Sequence, residues 1–116
     1  MIINTASVAA YDGQIGQIAY AASKAGVAAM TRCLAVEWAK DSISVVNVAP
    51  GYVETDLNRD FLAKPSVREY LLPRIPAGRW GNPDEVARLI AALFTEGLAI
   101  MTGETLYMNG GHRISH

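Results

Sequence analysis

The run ISVVNVAPG, residues 43 to 51, constrains the fold of this chain more than any other segment. It is rich in β-branched residues and closes with Pro50 and Gly51, so it predicts a buried strand with a turn at its carboxyl end. A second run, IINTAS at 2 to 7, begins apolar and ends in small polar residues, as a buried parallel strand does. GETLYMNGG, 103 to 111, predicts a third short strand. The fold class then depends on what connects these three strands.

Two long helices are predicted between the strands. The stretch from about Ala19 to Lys40 has no proline, is rich in alanine, and carries its larger apolar residues at helical spacing. Its other faces are also small or apolar, which predicts burial on more than the side facing the sheet, for example against another subunit. In GNPDEVARLIAALFTEG, Asn82 is the expected N-cap, Pro83 the first helical residue, and Gly97 lies near the end.

The alternation of strand, helix, strand, helix and strand is typical of a parallel sheet covered by helices. The connection over residues 52 to 81 is long, with weaker helical patterns near 56 to 63 and 66 to 72, and a loop of this length is usually functional. Ligands of such sheets bind outside the carboxyl ends of the strands. Ser7, Tyr20 and the segment 50 to 55 all fall at that edge, so we expect a site there.

The composition is that of a globular protein and indicates one domain at most. The chain has 116 residues, of which 51% are hydrophobic and 18% charged, with a net charge of −1. This balance offers no basic surface for nucleic acid or membrane, and neither a secretory leader nor a spanning segment is evident, so we expect a cytoplasmic protein. Cys33 has no second cysteine to pair with and is expected to be a small buried helix residue. His112 and His116 are expected to be solvated tail residues, and no metal site is predicted.

Tyr20 and Lys24 stand four positions apart in YAASK, so a helix would place them on one face. Bringing a tyrosine pKa from about 10 to near neutral requires about 4 kcal/mol. One cation about 4 Å away supplies about that much at an effective dielectric of 20, although burial acts in the opposite direction. A tyrosine poised in this way can take a proton from an alcohol while hydride leaves for a nicotinamide ring, and Ser7 could hold the substrate oxygen. Such pairs also occur by chance on helices, so the motif alone leaves a structural role open.

Five segments together resemble the carboxyl-terminal half of a classical short-chain dehydrogenase/reductase, over essentially the whole chain. They are INTAS, YAASK, VNVAPGYVETD, GRWGNPDEVA and MTGETLYMNGG. The pattern is similar to that of members that reduce 3-oxoacyl carrier proteins or oxidise hydroxysteroids and hydroxyacyl compounds. The resemblance implies that Ser7 orients the substrate oxygen and that Tyr20 is the general acid and base. It also implies that Lys24 binds the nicotinamide ribose and lowers the pKa of Tyr20.

The resemblance further implies the ligands of the site. The cofactor would be NAD or NADP, and the residues expected to contact it are Tyr20, Lys24, Pro50, Gly51, Val53 and Thr55. The substrate would be a small alcohol or ketone, contacted by Ser7, Tyr20 and Gln14. The full-length enzyme is expected to be a homo-oligomer, a dimer or a tetramer, with no nucleic-acid or membrane partner.

Two departures from the family pattern matter. Asn109 stands where such enzymes usually carry aspartate, a change expected to affect a turn more than catalysis. The second departure is an absence, because no glycine-rich fingerprint for pyrophosphate follows a strand and the family's catalytic asparagine is also missing. Residues 1 to 116 would begin at the fifth strand of a seven-stranded sheet, so we expect a truncated product, a split reading frame or part of a longer protein.

The expected fold class is therefore α/β, the carboxyl-terminal half of a Rossmann-type doubly wound parallel sheet. Three parallel strands with flanking helices would form the catalytic and substrate-binding half of an NAD(P)-binding domain, and the dinucleotide-fingerprint half would be missing. Two functions stay open. One is an NAD(P)-dependent oxidoreductase that interconverts a secondary alcohol and a ketone. The other is a catalytically inactive remnant that acts at most as an association module.

Overall fold

Three parallel strands form one sheet in the computed structural model, which describes residues 1–95, 97–98 and 100–112. Their order across the sheet is β1 (Ile2–Thr5), β2 (Val45–Pro50) and β3 (Thr105–Met108). In the register, Ile2 lies opposite Val45 on one side of β2, and Asn47 lies opposite Thr105 on the other. The prediction of three parallel strands is confirmed, and the strand formed by SVVNV lies in the middle of the sheet with that formed by IINTA at one edge.

Four helices connect and cover the strands in the described ranges. They are α1 (Ile18–Trp38), α2 (Arg59–Ala63), α3 (Pro65–Leu71) and α4 (Pro83–Thr95). All four predicted helical segments are confirmed, with ends shifted by a few residues. At the end of α1 the helix tightens into a 3₁₀ turn over Ala39–Asp41. None of the described helices combines the length and apolar character that crossing a bilayer requires. The cytoplasmic location expected from the sequence stays a prediction.

The centre of the core is β2, whose residues from Val45 to Ala49 have no exposed surface. Alternate side chains of a strand point to opposite faces of the sheet. Val46 and Val48 pack with Leu93 of α4 on one face, and α1 covers the other face. This burial on both faces explains why the run 43 to 51 is almost continuously apolar.

A row of polar side chains crosses the sheet on the face covered by α1. Asn4, Asn47 and Thr105 are register partners on the three strands. Asn4 donates to the Thr31 hydroxyl of α1 at 2.9 Å, and Asn47 donates to the Thr105 hydroxyl at 3.5 Å. The Thr105 hydroxyl also lies 3.0 Å from the Tyr11 hydroxyl in the loop after β1. The row therefore contains two hydrogen-bonded groups, one that joins β1 to α1 and one that joins β2, β3 and the first loop.

The outer face of α1 is exposed. Ile18 and Val36 are 86% and 81% exposed, and Cys33 is also exposed. The prediction of a buried cysteine was wrong, because the sheet covers only the face of α1 that carries Ala28, Thr31 and its neighbours. A single chain does not test whether a further surface covers the outer face, so that expectation stays a prediction.

Candidate active site

Ser7 lies just beyond β1 and caps the 3₁₀ turn Val8–Ala10. Its Oγ accepts a hydrogen bond from the Ala9 backbone N–H at 3.2 Å, and the turn packs against α1. That bond uses a lone pair of the hydroxyl oxygen and does not involve the hydroxyl proton. The residue can therefore serve the turn and still donate to a substrate oxygen.

Tyr20 and Lys24 meet in the first turns of α1, as the sequence predicts. The Lys24 Nζ lies 5.8 Å from the centroid of the Tyr20 ring, within cation–π range. The same ammonium group donates to the backbone oxygen of Thr5, the last residue of β1, at 3.1 Å. Tyr20 is 46% exposed. A fixed positive charge thus lies between the carboxyl end of β1 and an accessible phenol ring.

The turn after β2 approaches the turn after β3 closely. The Gly51 N–H donates to the Met108 oxygen at 2.9 Å, and a Cβ at Gly51 would lie only 2.9 Å from both Cα and Cβ of Asn109. The Asn109 side chain itself accepts from the Gly111 N–H at 3.0 Å, so it stabilises a turn, as expected. Pro50 ends β2 immediately before this contact. Only glycine fits the second position of the Pro-Gly pair without movement of its neighbour.

The backbone after Gly51 is fixed by Gly81 from the loop before α4. Val53 and Gly81 form an isolated parallel bridge. The Gly81 N–H donates to the Tyr52 oxygen at 2.9 Å, and the Glu54 N–H donates to the Gly81 oxygen at 3.0 Å. The backbone of the segment 52 to 54 is thus held by Gly81 in a short parallel pairing beyond the end of β2.

The side chain of Asn58 holds the end of the same segment. Its Oδ1 accepts from the Thr55 N–H at 2.8 Å, and its Nδ2 donates to the Val53 oxygen at 2.9 Å. The sequence analysis did not identify Asn58. An asparagine shortly after a Pro-Gly turn is a signal for local side-chain to backbone bonding, although it does not identify the partners.

The loop that carries Gly81 is stabilised by an ion pair and a helix cap. Arg79 binds Glu85 through two hydrogen bonds of 3.0 and 2.6 Å. Glu85 also accepts from the Asn82 N–H, and Asn82 accepts from the Glu85 N–H, each at 3.0 Å. This reciprocal cap confirms Asn82 as the N-cap. Hydrogen bonding from Arg79, and then from the Asn82 N–H, lowers the pKa of Glu85 to about 2.

A cleft of about 1410 Å³ lies between the first loop and the 52 to 75 segment. Its lining includes Tyr11, Gln14, Gln17, Tyr52, Phe61, Tyr70, Arg74 and His112. Gln14, the predicted substrate contact, is therefore placed in a cleft. Ser7, Tyr20 and Lys24 are not among the described residues of its lining. Gln17 directly precedes α1, so the cleft extends to the start of the helix that carries Tyr20.

Tyr52, which lines this cleft, packs against two other rings. Its centroid lies 6.0 Å from that of Trp80 and 5.7 Å from that of His112. Burial, and then the nearby Tyr70, raise the pKa of Tyr52. The prediction of a solvated His112 was wrong, because the chain turns back after β3 and packs this ring against Tyr52. His116 lies outside the described residues.

Metal ligands are not gathered at this edge. Within the described ranges, no three side chains of the types His, Cys, Asp and Glu form a group that could hold a metal ion. The polar groups that do converge are hydroxyl, phenol, ammonium and amide groups. This set favours proton transfer and hydrogen bonding to a ligand.

The family model described as enoyl-(acyl carrier protein) reductase matches residues 1–113 of this chain. The 3-oxoacyl-[acyl-carrier-protein] reductase FabG of Pseudomonas aeruginosa is 43% identical over 114 residues, which are 98% of this chain and 45% of that protein.

Solved structures show the same relationship. A gluconate 5-dehydrogenase from Burkholderia cenocepacia, in complex with NADP and tartrate, superposes with a TM-score of 0.92 and 34% identity, covering 99% of this chain and 45% of that one. A 4-hydroxyisoleucine dehydrogenase complexed with NADH gives a TM-score of 0.94 and 25% identity, covering 99% and 47%. The chain thus spans less than half the length of these proteins. The structural similarity confirms the predicted Rossmann-type α/β fold class. On this evidence, the chain belongs to the short-chain dehydrogenase/reductase family.

Proposed function

We propose that residues 1–116 form the catalytic and substrate-binding half of an NAD(P)-dependent oxidoreductase that interconverts a secondary alcohol and a ketone. The observation that carries this proposal is the pairing of Tyr20 with Lys24 at the carboxyl end of β1, with Nζ 5.8 Å from the ring centroid. Family membership supports it, since the similar proteins are named reductases and dehydrogenases, and two of them were solved with NADP or NADH.

The proposed reaction uses Tyr20 as the acid and base. In the oxidative direction, the alcohol gives its O–H proton to the Tyr20 phenolate and its C–H hydrogen, as hydride, to the cofactor, and a carbonyl forms. Lys24 would bind the nicotinamide ribose beside Tyr20, and the 3.1 Å bond to the Thr5 oxygen holds its ammonium group in place. Ser7 donates a hydrogen bond from its hydroxyl group to the substrate oxygen and keeps its proton. Bound NAD or NADP would supply the hydride chemistry.

The residues after β2 fit the nicotinamide end of such a cofactor. The N–H of Thr55 is bound by Asn58, and its backbone oxygen accepts from the N–H groups of Asn58 and Arg59. Any ligand contact of Thr55 must therefore come from its hydroxyl, which can bond a carboxamide or a phosphate. Pro50, Gly51 and Val53 would line the same surface, beside Tyr20 and Lys24. The glycine-rich turn for the pyrophosphate would belong to the other half of the domain.

The substrate is proposed as an alcohol or ketone that reaches Tyr20 from the cleft containing Gln14. The volume of about 1410 Å³ and the aromatic and amide lining suit a ligand with both apolar and hydroxyl groups. The names of the similar proteins include an acyl carrier substrate and gluconate, so the proposal stays at the level of this class. A homo-oligomer is also proposed, since the outer face of α1 is apolar and exposed.

The test requires an active chain that contains residues 1–116. This can be the complete gene product or a chimera in which these residues replace the matching part of the Pseudomonas aeruginosa relative. Tyr20→Phe should remove nearly all turnover and leave cofactor affinity close to normal, because its proton is needed only in the reaction. Lys24→Ala should weaken both. Lys40→Ala, at the exposed turn after α1, is the control. If Tyr20→Phe retains most of the rate, the acid–base assignment is wrong.

A second candidate function is an inactive association module. It is favoured by the exposure of Ile18 and Val36, and by β1, which pairs only with β2 among the described strands. Ile18→Lys combined with Val36→Lys should abolish self-association under this reading. An active complete chain, measured by oxidation of NADPH or NADH with a panel of ketones, would exclude a purely associative role.

A further inference from the structure

Asn58 occupies the N-cap position of α2, yet its side chain makes no hydrogen bond to that helix. An N-cap asparagine usually accepts a bond from an N–H in the first turn of its helix. Here the carboxamide turns back along the chain. It accepts from the Thr55 N–H at 2.8 Å and donates to the Val53 oxygen at 2.9 Å. The capping interaction is replaced by a clamp on the preceding segment.

The clamp and Gly81 hold different parts of that segment. Gly81 binds the backbone of Tyr52 and Glu54, and forms the bridge with Val53. The described contacts of Gly81 stop before Thr55, whose N–H is bound by the Asn58 side chain instead. The Thr55 oxygen is held by the backbone N–H groups of Asn58 and Arg59, whereas its N–H is held by the Asn58 side chain. That side chain therefore fixes the amide side of Thr55, in a loop whose surface is partly exposed.

We propose that Asn58 is a positioning residue for cofactor binding, and that it fixes Thr55 in the bound orientation before the nicotinamide arrives. This inference rests on the proposed function, which gives Thr55 the contact with the cofactor. A loop ordered in advance loses less conformational entropy when the ligand binds. Asn58 would thus act on cofactor affinity, and not on proton or hydride transfer.

The predicted signature is a change in affinity without a change in the chemical step. Asn58→Ala should raise the cofactor Kd about tenfold, since both side-chain hydrogen bonds to the segment that carries Thr55 are lost. The value of kcat at saturating cofactor and the KM of the substrate should change by no more than about twofold, because only loop order is altered. Asn58→Asp keeps the acceptor for the Thr55 N–H and loses donation to Val53. Because its second carboxylate oxygen would also face the Val53 oxygen, it should raise the Kd by about threefold or more.

The experiment combines cofactor titration, steady-state kinetics and amide hydrogen exchange on the same active chain. Asp60→Ala, an exposed change two positions further along α2, is the matched control and should leave all three readouts unaltered. In Asn58→Ala the Thr55 amide should exchange faster, whereas amides of β2 should not. A variant that lowers kcat with an unchanged Kd, or that lowers only stability, would overturn the proposal. Tyr20→Phe distinguishes failure of the proposed function from failure of the role of Asn58. If Tyr20→Phe is inactive while the Kd of Asn58→Ala is normal, only the role of Asn58 is wrong.

Discussion

The hydroxyl groups of Tyr11 and Thr105 lie 3.0 Å apart, so the loop after β1 is bound to β3, on the far side of β2. The Tyr11 ring also meets the Tyr107 ring edge-on, with centroids 5.2 Å apart. Ser7 belongs to the same loop. The carboxyl-terminal strand therefore helps to position the loop that carries the proposed substrate-orienting serine.

This contact predicts a coupling that unfolding experiments can measure. Tyr11→Phe keeps the ring contact and removes the hydroxyl bond, so it should lower the free energy of unfolding by about 1 kcal/mol. Thr105→Val should cost more, because Asn47 also donates to Thr105. Urea titrations of both single variants and the double variant should show a non-additive term of about 0.5 kcal/mol or more. Strict additivity would mean that the two hydroxyls do not interact.

Gly51→Ala should destabilise the chain by about 1–3 kcal/mol, because the added methyl group would overlap the backbone of Asn109. Gly26→Ala provides a control of opposite sign. Gly26 lies within α1, and a Cβ there meets no atom within 4 Å. It should stabilise the helix by about 0.5–1 kcal/mol. Thermal unfolding of the two variants checks the difference, and a tolerated Gly51→Ala would contradict the close approach of the two turns.

The pKa of Glu85 predicts a specific loss of stability in acid. The folded-state value is about 2, below the ordinary 4.5, because Arg79 and the Asn82 N–H bond the carboxylate. A lowered pKa contributes stability that is fully present above about pH 4.5 and is lost as the pH falls towards 2. Urea midpoints measured across this window should fall less steeply in Glu85→Gln than in the wild type. Parallel curves would show that the ion pair does not contribute.

Residues 1–116 expressed alone should not bind NADH or NADPH at micromolar concentration. Most dinucleotide contacts in this fold come from a glycine-rich turn and the acidic or basic residue that follows it, which are not among these residues. The isolated chain should instead self-associate through the outer face of α1 and the edge of β1. Fluorescence titration with each reduced cofactor, combined with sedimentation, decides the point. Saturable micromolar binding by a monomer would contradict both expectations.

The topology could be predicted because its signals are local and strong. The β-branched run around Val46 and Val48 is buried on both faces, and such a run has few alternatives to a central parallel strand. Asn82 and Pro83 mark the start of α4 by the chemistry of helix caps. Helical periodicity alone predicted that Tyr20 and Lys24 lie on the same face of a helix.

The features that the sequence did not predict depend on contacts between distant segments, or on which of several local hydrogen bonds a side chain makes. The packing of His112 against Tyr52 follows from the path of the chain after β3, and the exposure of Cys33 follows from which face of α1 the sheet covers. Asn58 could equally have capped α2, and only the geometry shows that it binds Val53 and Thr55 instead. Sequence periodicity does not encode these choices.

The parallel register also determines how this sheet can be assembled. Asn47 and Thr105 are neighbours across the sheet although they lie 58 positions apart along the chain. Likewise, β1 pairs with β2, which follows α1 in the chain. Because no two of these strands are joined by a tight turn, a long loop must close before their backbone hydrogen bonds can form. Folding of the sheet should therefore be slow. On the ribosome, α1 can form early, whereas the groups of β1 that pair with β2 stay unpaired until β2 has emerged.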